Sequence, residues 1–118
     1  MSTLREWWEE DRNITQLFFN QQLGQQGDAP FYCEPWVNKE IFLQHLHSPA
    51  MWTVFLLQDL LAMDENCRRE IPAEERINIP ADPNHYWNYR MHVSLEYLLA
   101  QKAFTKKLAG MISDTGRR

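Results

Sequence analysis

At 118 residues the chain has room for one domain or a piece of one, and its 44% hydrophobic content is that of a globular chain. A net charge of −4 and a pI near 5.5 exclude nucleic acid as the main partner, because phosphate backbones are held by clustered Lys and Arg. No apolar run reaches the roughly 18 residues of a membrane span, and the N-terminus lacks a basic segment followed by an apolar one. A soluble, cytoplasmic chain is expected, with no membrane partner.

The first element is a helix over 3–24. Thr3 with Glu6 three residues later is the pattern of a capping box. Leu4, Trp7, Trp8, Leu17, Phe18 and Phe19 recur at roughly helical spacing, opposite Glu9, Glu10, Asp11 and Arg12. Trp7 and Trp8 stand about 100° apart on such a helix, so only one can face the core squarely. Gly24 and Gly27 are its stops. After a loop over 25–34, Pro35 occupies a first helical position. Trp36, Val37, Ile41, Phe42 and Leu46 carry a helix over 35–47 that ends before Ser48-Pro49.

Met51 to Leu57 is a continuous apolar run rich in strand-favouring residues, as in a buried parallel strand. Gln58 to Met63 continues it in helix-friendly fashion, so 51–63 reads as strand or helix. A strand here has no evident partner in the chain and leaves a ladder of donors and acceptors unpaired. In isolation the run is expected to turn helical or to pair with another copy. A polar loop follows over 64–92, punctuated by Pro72, Pro80 and Pro83. Ser94 opens terminal helices over 94–113 with Leu95, Leu98, Leu99, Phe104, Leu108, Met111 and Ile112, and Gly116, Arg117 and Arg118 are expected to fray. Lys102, Lys106, Lys107 and the two Arg read as a solvated basic face.

Few residues point to independent chemistry. Cys33 and Cys67 are far apart, with no CxxC pattern, and read as free thiols. His45 and His47 point to different sides of a helix and have no third ligand at suitable spacing, so no metal is expected. Glu9-Glu10 and Glu74-Glu75 read as carboxylates on solvated faces, since sequence neighbours diverge in direction. There is no phosphate loop, no Ser-His-Asp set and no thiolate motif, and no cofactor is expected.

The loop from Arg76-Ile77-Asn78-Ile79-Pro80 to His85-Tyr86-Trp87-Asn88-Tyr89-Arg90 is too rich in donors and aromatics to be a simple connector. It resembles the C-terminal loop of amylomaltases, the disproportionating 4-α-glucanotransferases that act on maltodextrins. Met1 to Trp8, Ala29 to Trp36, and Gln58-Asp59-Leu60-Leu61 are also similar to that family, in the same order. The similarity spans nearly the whole chain and looks nearest to the long members that carry starch-binding domains.

The resemblance implies the C-terminal fragment of a (β/α)8 TIM barrel, predominantly α in isolation with at most one or two short strands. It implies a transferase of α-1,4-glucan segments in carbohydrate metabolism, working by the retaining two-carboxylate mechanism. The nucleophile, the acid/base residue and a His-Asp pair would lie upstream of Met1, so the chain itself is expected to be inactive. The substrate-binding candidates are Asn78, Arg76 and Pro80 of the loop, Asp59 beyond the apolar run, and Trp7. Asn78, which can donate to and accept from sugar hydroxyls, would face the acceptor end; otherwise it caps a turn. Asp59 would face the active site, or else cap the helix that begins at Leu60. Trp87 and Arg90 would lock the loop by packing and by guanidinium hydrogen bonds. Exposed apolar surface on such a fragment would favour a homo-oligomer. The alternative is a stand-alone helical binding or scaffold domain.

Overall fold

A computed structural model describes residues 3–117. Met1 and Ser2, which open the first family-like segment, and Arg118 of the basic end lie outside the described residues. The elements in chain order are α1 (Leu4–Glu10), α2 (Arg12–Leu17), α3 (Pro35–Leu46), α4 (Leu57–Leu61), α5 (Leu95–Ala100) and α6 (Lys102–Asp114). A π-helical turn, Phe18–Gln22, continues α2, and a 3-10 turn, Pro72–Glu75, lies within the long loop just before Arg76. Helix dominates, and the described residues contain no strand.

The first helix is not continuous. Asp11 breaks it with an extended backbone (φ −137°, ψ 105°), and its carboxylate accepts the N–H groups of Asn13 at 2.9 Å and Ile14 at 3.2 Å. A short carboxylate that can bond nearby backbone competes with helix propagation and restarts it as a cap. The capping box is absent as well. Thr3 makes no side-chain cap, donating instead to Glu75 Oε2 at 3.2 Å, while the Glu6 carboxylate binds Arg76. Distant charged partners outcompete the local pattern.

Two apolar clusters share α3. Val37 and Ile41 join Trp8, Phe19, Ala29 and Cys33, whereas Phe42 and Leu46 join Met63 and Met111. Trp8 is fully buried at the centre of the first, donating its Nε1 proton to Pro30 O at 2.9 Å and meeting Phe19 edge-on. Trp7 is only partly buried, so the adjacent indoles divide between core and cleft.

Residues 52–56 are irregular backbone, and helix begins only at Leu57. Neither a strand nor a helix over 51–63 forms. With no neighbouring strand the run cannot build a ladder, and its aromatic and β-branched residues resist helix until Leu57-Gln58-Asp59-Leu60-Leu61. Trp52 and Val54 point outward, at 80% and 91% exposure, while Phe55 turns inward onto Phe42, ring centroids 4.3 Å apart.

At the C-terminal end Ser94 caps α5 by accepting the Tyr97 N–H at 3.1 Å. Arg117 does not fray. It donates to the carbonyls of Leu46, Ser48 and Ala50 at 2.7, 2.7 and 2.8 Å, holding the end of α3 to the turn that follows it. A guanidinium fork at orphan helix carbonyls is favoured by their partial negative charge. Lys107 likewise reaches Met63 O at 3.4 Å, so the basic end is in part engaged with backbone.

Candidate functional site

The site begins with a buried ion pair. Arg5 Nη1 lies 2.8 Å from Glu75 Oε1 and 2.6 Å from Arg69 O, with side chains 7% and 2% exposed for Arg5 and Glu75. Gln58 donates to Glu75 O at 3.1 Å. Burial pushes the Glu75 carboxyl above its ordinary value, and the Arg5 guanidinium and the Thr3 hydroxyl oppose that rise. The pair Glu74-Glu75 is therefore not a solvated face. Pro72 starts a 3-10 turn, whose three residues per turn set successive side chains about 120° apart. Glu75 points into the interior and Glu74 outward to Arg69, 2.9 Å away. This network docks α1 against the start of the loop.

Arg76 leaves that turn in an extended conformation and sets its Nε between both oxygens of Glu6, at 2.7 and 2.8 Å. Both partners line a cavity of about 540 Å³. Glu6, Glu9 and Glu10 of α1 line it together with Arg76, Asn78 and Pro80 of the loop, and Ile71, Pro72, Ala73 and Ile79 complete the lining. Three of the five candidates thus share one cleft lined by apolar and hydrogen-bonding groups.

Trp7 and Asp59 belong to a second cleft, about 380 Å³, with Asn38, Phe42, His45 and Val54 among its other lining residues. Asp59 does not follow a strand, since 52–56 is irregular, and it does not cap the helix at Leu60, because Leu56 is the cap residue of α4. Its Oδ1 instead accepts the backbone N–H of Leu4 at 3.1 Å, at the N-terminus of α1. Burial raises the Asp59 carboxyl above its ordinary range and the Leu4 N–H partly offsets this. The amide of Asn38 donates to the Asp59 carbonyl. Helix α1 consequently forms a wall between the clefts, with its glutamates on one and Leu4 and Trp7 on the other.

Trp87 and Arg90 do not lock the loop through their side chains. Trp87 is 75% exposed, and Arg90 contributes its carbonyl, which accepts from Arg69 Nη2 at 2.7 Å. The bracing residues are Arg69, whose guanidinium also lies over the Tyr89 ring at 5.7 Å, and His85, whose Nε2 pairs with Ile77 O at 2.9 Å. Arg5, Arg69 and Glu75 carry no motif. The spacing of Arg5 from Trp8, i and i+3 on one face, is the local sign that Arg5 turns inward.

Among the described residues no three His, Cys, Asp or Glu are grouped to hold a metal ion. His45 Nδ1 is engaged with Ile41 O at 2.8 Å. Cys33 and Cys67 are buried and unpaired, and burial pushes their thiols up to about 12 and about 11. No helix of the described residues is long and apolar enough to cross a membrane.

Comparison with known proteins gives this architecture a family. The family model described as 4-alpha-glucanotransferase matches residues 1–96. The 4-alpha-glucanotransferase DPE2 of Oryza sativa subsp. japonica is 40% identical over 116 residues, which is 98% of this chain and 12% of that protein's length. No solved structure matches the chain. A match over most of the chain, with 40% identity to a named relative, makes it a member of the 4-alpha-glucanotransferase family.

Proposed function

We propose that this chain is the acceptor-side part of a cytoplasmic 4-α-glucanotransferase, which moves α-1,4-glucan segments between maltodextrins without metal or organic cofactor. The observation that carries the reading is the convergence of Arg76, Asn78 and Pro80 on one cleft against Glu6 of α1. Asn78 would bond the hydroxyls of the incoming sugar, Pro80 and Ile79 would pack on its ring, and Glu6 would hold Arg76 in place. Trp7 and Asp59 would line the neighbouring cleft further along the glucan.

The chemistry itself is assigned to residues outside this chain. A retaining transferase needs two carboxyls facing each other across the scissile bond. Glu6 is engaged by Arg76, Glu75 by Arg5, and Asp59 by the Leu4 N–H. Glu9 and Glu10 both line the cleft from α1, on the same wall and not facing each other across it. The chain spans 12% of the length of its rice relative, which supports a reading as one part of a larger catalytic unit.

We assign residues 52–56 to a strand of a (β/α)8 barrel. Exposed Met51, Trp52 and Val54 would be covered there by the rest of the barrel, or by a second copy when the chain is alone. The test is maltotriose disproportionation. The complete enzyme should release glucose and longer dextrins, and this chain alone should stay at the level of buffer. Transfer by the chain alone above heat-killed controls, or none by the complete enzyme, overturns the reading.

A further inference from the structure

We propose that Arg69 is the positioning residue of the acceptor loop, a clamp that ties its two ends together without touching the cleft. This rests on the reading of the Asn78 cleft given above. The Arg69 guanidinium makes three contacts at once. Nη1 meets Glu74 Oε2 at 2.9 Å on the turn where the loop begins. Nη2 donates to Arg90 O at 2.7 Å where it ends, and the guanidinium Cζ lies over the Tyr89 ring, 5.7 Å from its centroid.

The clamp has a fixed base. The carbonyl of Arg69 accepts from Arg5 Nη1 at 2.6 Å, so the residue is held to the buried Arg5–Glu75 pair from which the loop departs. Between the two anchored ends, His85 Nε2 pairs with Ile77 O at 2.9 Å and ties the later part of the loop to the residue before Asn78. An unclamped loop of this length samples many closures, and fixing its ends removes most of them.

Arginine suits the task for a geometric reason. Its planar fork serves a carboxylate and a carbonyl in two directions while its charge lies over an aromatic ring; an ammonium offers one compact point of charge. Arg69 is absent from the lining of the cleft, so its effect on substrate must pass through Asn78 and Pro80.

The test is Arg69→Ala and Arg69→Lys in the complete enzyme, beside Asn78→Ala. Amide exchange over residues 76–90 should accelerate by about tenfold or more in both Arg69 variants, with α3 unchanged as the internal control. The acceptor KM should rise about tenfold while kcat stays within about twofold, and the Lys variant should recover little of this. If Arg69→Ala does not fold, the charge-retaining Lys variant is read in the same way. Unchanged exchange over 76–90 overturns the clamp. Faster exchange with an unchanged acceptor KM overturns the positioning role where Asn78→Ala does raise that KM. If Asn78→Ala also leaves KM unchanged, the substrate reading itself fails and the positioning role falls with it.

Discussion

The backbone N–H of Leu4 donates to Oδ1 of Asp59 at 3.1 Å, across 55 residues of chain. The first helix is thereby capped from another element, by a carboxylate well placed at the positive end of the peptide dipoles. Thr3 and Glu6 are released from capping, and each takes a partner in the loop region, Glu75 and Arg76. Long-range bonds of Thr3, Leu4 and Glu6 thus accompany the docking of α1 between the two clefts.

Asp59 should give a measurable pH signature. Burial raises its folded-state pKa above the ordinary 3.8, so the folded chain binds that proton more tightly than the unfolded chain. The stabilising contribution is therefore full below the unfolded value and is lost as pH rises through the raised one. Asp59→Asn keeps an acceptor oxygen for Leu4 and removes the titration. Thermal unfolding should show the variant gaining most on the wild type at neutral pH, with the gain shrinking in acid. A gain that grows in acid contradicts the assignment.

Removing one partner of the buried Arg5–Glu75 pair should be costly, because it strands the other charge in the interior. Glu75→Ala should lower unfolding free energy by about 3 kcal/mol or more. Glu75→Gln, which retains acceptor oxygen for Thr3 and Arg5, should lose less. Urea denaturation with an unchanged m-value is the measurement, and a loss below about 1 kcal/mol for the Ala variant would place the pair among surface contacts.

What could be read from the sequence divides along the range of the interactions. The start of α3 at Pro35 and the cap of α5 at Ser94 are local chemistry, visible in a few residues. Arg76, Asn78 and Pro80 lie so close in the chain that their sharing one cleft required little tertiary knowledge. The break at Asp11 and the inward turn of Glu75 were hidden by residue types that serve equally well on solvated surfaces. The caps misled for another reason, because Thr3, Glu6 and Asp59 all bond partners more than fifty positions away. For 52–56 the sequence offered two regular structures and the chain adopts neither, because a strand is a property of its neighbours as much as of itself.

The thiols supply an independent check on the core. Cys33 and Cys67, pushed up to about 12 and about 11, are almost wholly protonated at neutral pH and are buried. The folded chain should react negligibly with a thiol-specific disulfide reagent, and both cysteines should react on unfolding in urea. Rapid labelling of either under native conditions would show that the packing around that thiol is looser than described.

The central claim is that the Asn78 cleft receives the acceptor sugar, and the ratio of glucan transfer to hydrolysis in the complete enzyme tests it most directly. Asn78→Ala removes amide hydrogen bonds to the incoming hydroxyls, a loss of about 1 kcal/mol, or more where a buried partner is stranded. Water requires no such positioning, so transfer should fall several-fold more than hydrolysis and the ratio should drop. An equal loss of both activities, or no loss of either, would contradict an acceptor role for this cleft.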